Sequence, residues 1–393
     1  MAFKITTSQG IGDQCIQEAL DSLPNSPAFV ILVATVQVSS QALRLAAVAR
    51  FPDTCIHIAT SCLGAMTESE IHLEGPIVVA AAFTDDEGAY GTAAAAQVSG
   101  EEAQLATSLL ERAQLDADRP GELPALVWLN AAPGTEEAII SALDRHFDGQ
   151  VPIYGGSSAD NDISGQWWVS DSTGVIPNGV VLSVLYPEAE VLHAFHSGYE
   201  PTAKSGRVTK ANGRVLVEID GRPAANVYNE WTQGAMDAHL NGANILGAST
   251  MYPLAVEVGR VNGVPYHRLI HPETIRNDGA ITLFAEAQTG TQLMLMRGEE
   301  SSLLTRAGRV AKAAIASDDG GLEDLAGGFV VYCAGCMLSV QSKMKEVHTS
   351  LTDTLPNIPF LGQFSFGEQG TFPNGETCHG NLMISTVLFR ALS

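Results

Sequence analysis

No stretch of this 393-residue chain carries the roughly eighteen consecutive apolar residues that a membrane-spanning helix requires, so membrane insertion is not expected. Positive charge is scarce: 21 Lys and Arg stand against 44 Asp and Glu, a formal charge of −23, and the cations are scattered. Such a field repels polyphosphate, which excludes nucleic acid as a partner. Neither G-x-x-x-x-G-K-[ST] nor a strand-borne G-x-G-x-x-G occurs, which disfavours nucleotide binding. The G-x-S-x-G elbow and H-E-x-x-H are missing as well, which removes the common hydrolase and zinc-protease signatures. The opening Met-Ala-Phe-Lys-Ile-Thr-Thr-Ser lacks the apolar core and small-residue cleavage site of a signal peptide, so the expected compartment is the cytoplasm. There the six cysteines (Cys15, Cys55, Cys62, Cys333, Cys336 and Cys378) are expected to be thiols.

What is present is a balance of 45% hydrophobic and 17% charged residues, typical of a globular chain, and an internal repeat. Three segments share one pattern. Each opens with an amphipathic helix, over 12–23, 101–116 and 301–316, the second with Ser99 and Glu102 spaced as a capping box. Unbroken apolar runs follow from Phe29, Ala125 and Phe329, as in strands buried on both faces. Second helices, at 39–51, 135–147 and 339–354, lead to short strands at Cys55–Thr60, Val151–Gly155 and Ile358–Gly362. These run into Gly- and Ser-rich loops, and strands at Pro76–Phe83, Gly179–Tyr186 and Asn381–Phe389 close the units. A β-α-β crossover makes its two strands parallel, so both of their exit loops lie at one carboxyl edge, where ligands bind in open α/β sheets.

Between 187 and 297 the texture changes to alternating apolar residues with turn signals at Asn212-Gly213, Asn262-Gly263 and Asp278-Gly279. One helix, Ala224–Leu240, interrupts them. The expected fold class is therefore α/β: three helix-β-α-β-β units with mixed sheets, plus an antiparallel, hairpin-rich region in the second half. The expected domains are 1–204, with units at 12–83 and 101–186, and 205–393, with the antiparallel region at 205–297 and the third unit at 301–389.

The densest chemistry lies in the third unit. Cys333-Ala334-Gly335-Cys336 leaves one strand and Cys378-His379 opens another at the same edge. By ligand type Cys333, Cys336, Cys378 and His379 match a tetrahedral zinc or iron site, although Cys378 and His379, being adjacent, face opposite sides of a regular strand. The alternatives are buried inert thiols, a pocket in which Cys333 touches a small molecule, and an enzyme with Cys333 or Cys336 as nucleophile and His379 as base. A thioredoxin-like pair is less attractive, because Cys336 would then have to sit near a helix start. His193 and His196 flank Phe195, and in a strand only one of the two reaches a pocket. Glu368 closes a glycine-bearing loop that permits close backbone approach to a ligand.

Several motifs in order resemble the FIST family: Gly155-Gly156-Ser157-Ser158-Ala159-Asp160, Glu218 to Ala224 leading to Tyr228 and Trp231, Tyr252-Pro253-Leu254, Cys333-Ala334-Gly335, and Gly362 to Glu368. The resemblance covers nearly the whole chain and divides it into FIST N-like and FIST C-like parts. It implies a sensor without established catalysis that binds a small ligand such as an amino acid. In a bacterial subset it implies haem-based nitric-oxide sensing, with a histidine kinase as the signalling partner. Together with the strand-edge geometry it puts ligand binding on Gly155, Gly156, Ser157, Asp160, Cys333, Gly335, Phe364, Gly367 and Glu368. For the haem version His379, His196, Cys333 and Cys336 are the candidate iron ligands, holding it noncovalently because no C-x-x-C-H is present. Many relatives carry arginine after the Cys-x-Gly, where this chain has Cys336; that departure favours thiolate or metal chemistry over anion binding.

Overall fold

The structure, a computed structural model, describes residues 3–392. Each unit contains the predicted parallel pair: Phe29–Thr35 beside Cys55–Ser61, Leu126–Ala131 beside Ile153–Ser157, and Leu325–Cys333 beside Phe360–Ser365. The first strands are buried along their length apart from one residue, as expected for strands covered on both faces. Each closing strand runs antiparallel to the first strand of its unit. The helices bury one stripe; Glu300–Ile315 does so through Leu303, Arg306, Ala307, Val310 and Ala314.

Two features of the units are absent from the sequence pattern. Each unit begins with a further strand, Lys4–Ile11, Ala89–Ala96 or Ala189–His196, paired antiparallel with the closing strand. Between its second and closing strands, each unit also lends a hairpin to another unit's sheet. The hairpin containing Trp168–Ser170 pairs with Cys55–Ser61 of the first unit, and Glu368–Thr371 pairs with Ile153–Ser157 of the second. Ala65–Thr67 completes the cycle on Phe360–Ser365 of the third. Every second strand that would otherwise be an open edge is thereby covered, and the units are interlocked.

The antiparallel region is an insertion within the third unit, between Ala189–His196 and Glu300–Ile315. It forms a nine-stranded sheet in which every pairing is antiparallel. The three expected hairpins are present, joining the strands on either side of Asn212-Gly213, Asn262-Gly263 and Asp278-Gly279. A cut between residues 204 and 205 thus separates Ala189–His196 from the rest of its unit.

Aromatic side chains join the units at the core. Phe83 of the first stacks on Phe329 of the third at 5.6 Å, and Phe329 meets Trp128 of the second at 4.7 Å.

Local expectations fail where backbone conformation overrides pattern. The helix foreseen over 224–240 ends at Trp231, because Gln233 and Gly234 take positive φ. Ser99 is not a cap; the N-cap is Glu101, and Glu102 instead accepts the Gly100 N–H. The helix foreseen over 339–354 is two, Ala334–Ser339 and Met344–Thr354, so Cys336 does lie in a first helical turn. Among the described residues no helix is long and apolar enough to cross a membrane.

Candidate functional site

The exit loops of the three units meet at the carboxyl edge of the parallel strands, tied by buried hydrogen bonds. His57 of the first unit bonds Asn130 of the second at 2.9 Å, and Asn130 donates to Gln363 of the third at 3.0 Å. Gln363 in turn donates to the Thr60 carbonyl at 2.9 Å. Burial pushes His57 down to about 4, against the hydrogen bond that its Nε2–H donates to Asn130 Oδ1, so it is neutral at physiological pH and acts as a structural link.

Beside this junction lies a cavity of about 120 Å³. Cys62 of the first unit, Asn161 to Ile163 of the second, Cys333 and Phe366 of the third, and His271 and Phe284 of the insertion all face it. Its rim carries Ile163 and Leu338, which are 40% and 45% exposed. Asp160 shapes this wall: its carboxylate accepts the Ile163 N–H at 2.6 Å and the Gln166 N–H at 2.8 Å. The backbone is strained around the cavity. Ten described non-glycine residues have positive φ; seven are Asp, Asn or Gln, which tolerate it. The three aliphatic ones, Leu63, Ile163 and Leu382, all line the cavity or adjoin a residue that does. Strain of this kind is retained at ligand sites.

Two polar groups of the wall have hydrogen-bonding capacity to spare. Asn381 accepts the His271 N–H through Oδ1, leaving its buried Nδ2 without a partner. His271 Nε2 lies 3.1 Å from the Leu246 carbonyl, an acceptor only, so Nε2 carries the proton and Nδ1 is an acceptor. Burial pushes His271 down to about 4, which keeps it neutral. Gly335 closes this wall, since a Cβ there would stand 3.4 Å from the His271 ring.

Behind the cavity is a buried polar cluster. Arg306 is fully buried; Nη1 donates to the Ser197 and Leu382 carbonyls, while Nε and Nη2 have no partner. Its guanidinium stands over Tyr332 and Tyr199, and the Tyr199 hydroxyl lies 3.5 Å from Cys336 Sγ. Burial opposes ionisation of Cys336, but the Cys333 thiol, Arg306 and Tyr199 together hold it below the ordinary thiol value. Cys333 is pushed well above that value by burial, with Cys336 and Glu368 adding to it. Glu368 accepts from the Ser365 hydroxyl at 2.6 Å and the Met383 N–H at 2.9 Å, yet burial pushes it up to about 8.

Of the ligand candidates, Cys333 and Gly335 line the cavity. Gly155, Gly156, Phe364 and Glu368 are buried in their strands and do not line it, and Asp160 supports its wall. Ser157 donates to Glu136 at 2.5 Å on the far side of the junction. Gly367 makes room for His379, whose Cε1 would lie 2.1 Å from an added Cβ. Cys333, Cys336, Cys378 and His379 do not assemble: Cys333 faces the small cavity, whereas Cys378 and His379 line a separate one of about 460 Å³. Among the described residues no group of His, Cys, Asp and Glu is arranged to hold a metal ion.

Haem finds its candidate ligands equally dispersed. A 120 Å³ cavity at Cys333 is too small for a porphyrin, and His379 lines a cavity whose five carboxylates, Glu137, Asp144, Glu257, Glu286 and Glu376, outnumber the single cation Arg268 and disfavour propionates. His196 lines a cavity of about 660 Å³, but its Nδ1 accepts the Gly198 N–H, which puts the ring proton on Nε2. His193 lines the same cavity, because the cavity reaches around the free edge of Ala189–His196. The Tyr154 hydroxyl donates to the Thr371 carbonyl, so His193 Nδ1–H donates to Tyr154 and Nε2 is left with a lone pair. That is the arrangement of an oriented metal-binding imidazole.

Arg306, His271, Asn381 and Glu136 escaped the sequence reading. Arg306 had a signal: it interrupts the apolar stripe Leu303, Ala307, Val310, Ala314, where a charge must be paired or functional. The others are assembled from distant segments.

Interlocked α/β units around a small cavity, with unsatisfied polar groups in its wall, define a ligand-binding domain. The chain belongs to the FIST family: the FIST N domain matches residues 28–222 and the FIST C domain residues 224–371. These are sensory, small-ligand-binding domains of signal transduction. An uncharacterized protein of Methanocaldococcus jannaschii is 33% identical over 107 residues, 26% of this chain and 20% of that protein, so the match spans about a fifth of the relative's length. A cyanuric acid hydrolase from A. caulinodans aligns over 99% of each chain at 8% identity and a TM-score of 0.37, too distant to carry chemistry across.

Proposed function

We propose that this protein is a sensor whose ligand occupies the 120 Å³ cavity at the junction of the three units and the insertion. The observation that supports this most is the gathering of the three strained aliphatic residues around that cavity. An apolar cavity of about 150 Å³ admits benzene, so the ligand is of that size or smaller. No Lys or Arg lines the wall, and Asn381 and His271 offer one donor and one acceptor. The ligand class is therefore a small, neutral, largely apolar molecule with one acceptor and one donor, in place of the amino acid implied by resemblance. Walls from four parts of the fold let occupancy bias their relative positions, as signalling requires. The output then passes to a signalling protein such as a histidine kinase. Burial holds His271 neutral and keeps the Cys333 and Cys62 thiols that line the wall above the ordinary thiol value, so the reading is binding without turnover of the ligand.

A thermal-shift screen of small amides, alcohols and phenols tests it. A ligand at hundredfold excess over its Kd adds about 2.7 kcal/mol to stability. Leu338→Trp, which fills the mouth from an exposed position, is expected to abolish the shift while leaving the unliganded Tm nearly unchanged. Hits that persist undiminished in Leu338→Trp place the ligand elsewhere and sink the proposal.

A second reading, haem, is favoured by the His193 geometry and the 660 Å³ cavity that His193 shares with Arg309. Bound there, haem would supply an iron able to take nitric oxide. His193 Nε2 would hold the iron and Arg309 would attract a propionate. Expression with haem precursor and iron, followed by an absorption spectrum and metal analysis, is expected to give a Soret band lost in His193→Ala and kept in His196→Ala and His379→Ala. A colourless, metal-free protein rejects this reading and leaves the first untouched.

A further inference from the structure

The CxxC of the third unit sits in a setting that ligand sensing does not require. Cys333 precedes the helix Ala334–Ser339 and Cys336 lies in its first turn, so the two thiols are one helical turn apart. Their proximity is felt electrostatically: Cys333 helps to hold Cys336 below the ordinary thiol value, while Cys336 helps to raise Cys333. Cys333 opens to the cavity, whereas Cys336 is fully buried against Tyr199 and Arg306. Arg306 is a buried cation with two unpartnered donor atoms, and Cys336 is the strongest negative partner acting on it. A buried charge of this kind is held only against a counter-charge, which a thiolate at position 336 provides.

We propose that Cys333 and Cys336 form a dithiol–disulfide couple oxidised by hydrogen peroxide admitted through the junction cavity. The proposal is independent of any ligand bound there. Cys333 Sγ attacks one peroxide oxygen as its proton passes to the Cys336 thiolate; the O–O bond breaks and hydroxide leaves. Hydroxide removes the proton from Cys336 and becomes water. The Cys336 thiolate then attacks Cys333 Sγ, forming the S–S bond and expelling the second hydroxide. Two sulfurs are oxidised, and one peroxide is reduced to water and hydroxide. Arg306 acts as a positioning residue, keeping Cys336 ionised, and Tyr199 assists by its hydroxyl.

The remaining thiols frame the contrast. Cys55 is partly exposed, but burial and the nearby Asp116 push it above the ordinary thiol value. Cys62 is pushed up to about 12 by burial and by Asp160 and Asp162, and Cys378 to about 12 by burial, eased by Arg268. None of these stands one helical turn from a second cysteine. Oxidation is therefore expected to be selective for the CxxC.

The test treats the full chain with hydrogen peroxide, alkylates remaining thiols after denaturation and maps peptides by mass. The expected result is a Cys333–Cys336 linkage that dithiothreitol reverses, with Cys15 and Cys62 still alkylated. In Cys336→Ser, which lacks both the base and the resolving thiol, oxidation of Cys333 is expected to slow and to stop at a sulfenic acid that dimedone captures. In Arg306→Met the linkage is expected to form about tenfold more slowly near pH 7, as the thiolate fraction falls. Recovery of both cysteines fully alkylated after Cys55 or Cys378 has reacted overturns the proposal. The wild-type measurement decides it even if a variant fails to fold.

Discussion

Expressed alone, residues 205–393 are expected not to fold. The third unit's sheet would lose a strand from each side: Ala189–His196, which pairs along eight residues with Ile384–Ala391, and Ala65–Thr67, which covers Phe360–Ser365. Its own hairpin around Glu368–Thr371 would lose the strand it pairs with, Ile153–Ser157. Phe329 would lose Phe83 and Trp128, the aromatic partners that join the units. Two open sheet edges and an uncovered aromatic face favour association over folding. The expected observation is insoluble or molten material without near-ultraviolet circular dichroism, recovered as a soluble complex when residues 1–204 are co-expressed. A monomeric 205–393 fragment with a cooperative thermal transition would show that hairpin exchange is an ornament to the stability of this half.

Arg214→Met is expected to destabilise the whole protein by about 3–5 kcal/mol, the loss typical when one partner of a buried ion pair is removed. Arg214, from the insertion, lies 2.6 Å from both Glu136 and Glu137 at the start of a second-unit helix. Glu136 is 1% exposed. Burial alone would raise its pKa, but His379, Arg214 and the Ser157 hydroxyl hold it below the usual carboxylate range. In the wild type this pair adds stability above the unfolded carboxylate value, and the contribution is lost as pH falls through the lower folded value. Without Arg214 the folded value rises, because one of the partners that oppose the burial of Glu136 is gone. The deficit is then largest near neutrality, is smaller at pH 4, and disappears only as pH falls through the wild-type folded value of about 2, below which Glu136 is protonated in every state. Urea unfolding at pH 7 and pH 4 measures this; a deficit equal at both would assign the loss to packing of the arginine stem.

The sequence had already disclosed the repeated elements, for particular reasons. Phe29–Thr35, Leu126–Ala131 and Leu325–Cys333 are buried strands, so burial on both faces wrote continuous apolar runs that can be read without partners. The insertion's hairpins were equally readable, because Asn262-Gly263 encodes its own positive φ values. Lys4–Ile11 and Ala89–Ala96 were not, since Lys-Ile-Thr-Thr-Ser-Gln-Gly-Ile and Ala-Tyr-Gly-Thr-Ala-Ala-Ala-Ala lack the apolar signature of a strand. The site divides likewise: Cys333 and Gly335 were anticipated as residues that leave a strand end, while His271 and Asn381 face the same cavity from the insertion and the last loop.

By itself, then, the sequence determined the three α/β units, the antiparallel insertion and the carboxyl edge at which their loops gather, because hydrophobic periodicity and turn chemistry are local properties of the chain. Only the tertiary structure decided the exchange of hairpins, the dispersal of the four metal candidates, and the placing of Arg306 against Cys336. Those outcomes depend on which faces of distant segments meet and on which buried charges find a partner, and no local pattern in the chain carries that information.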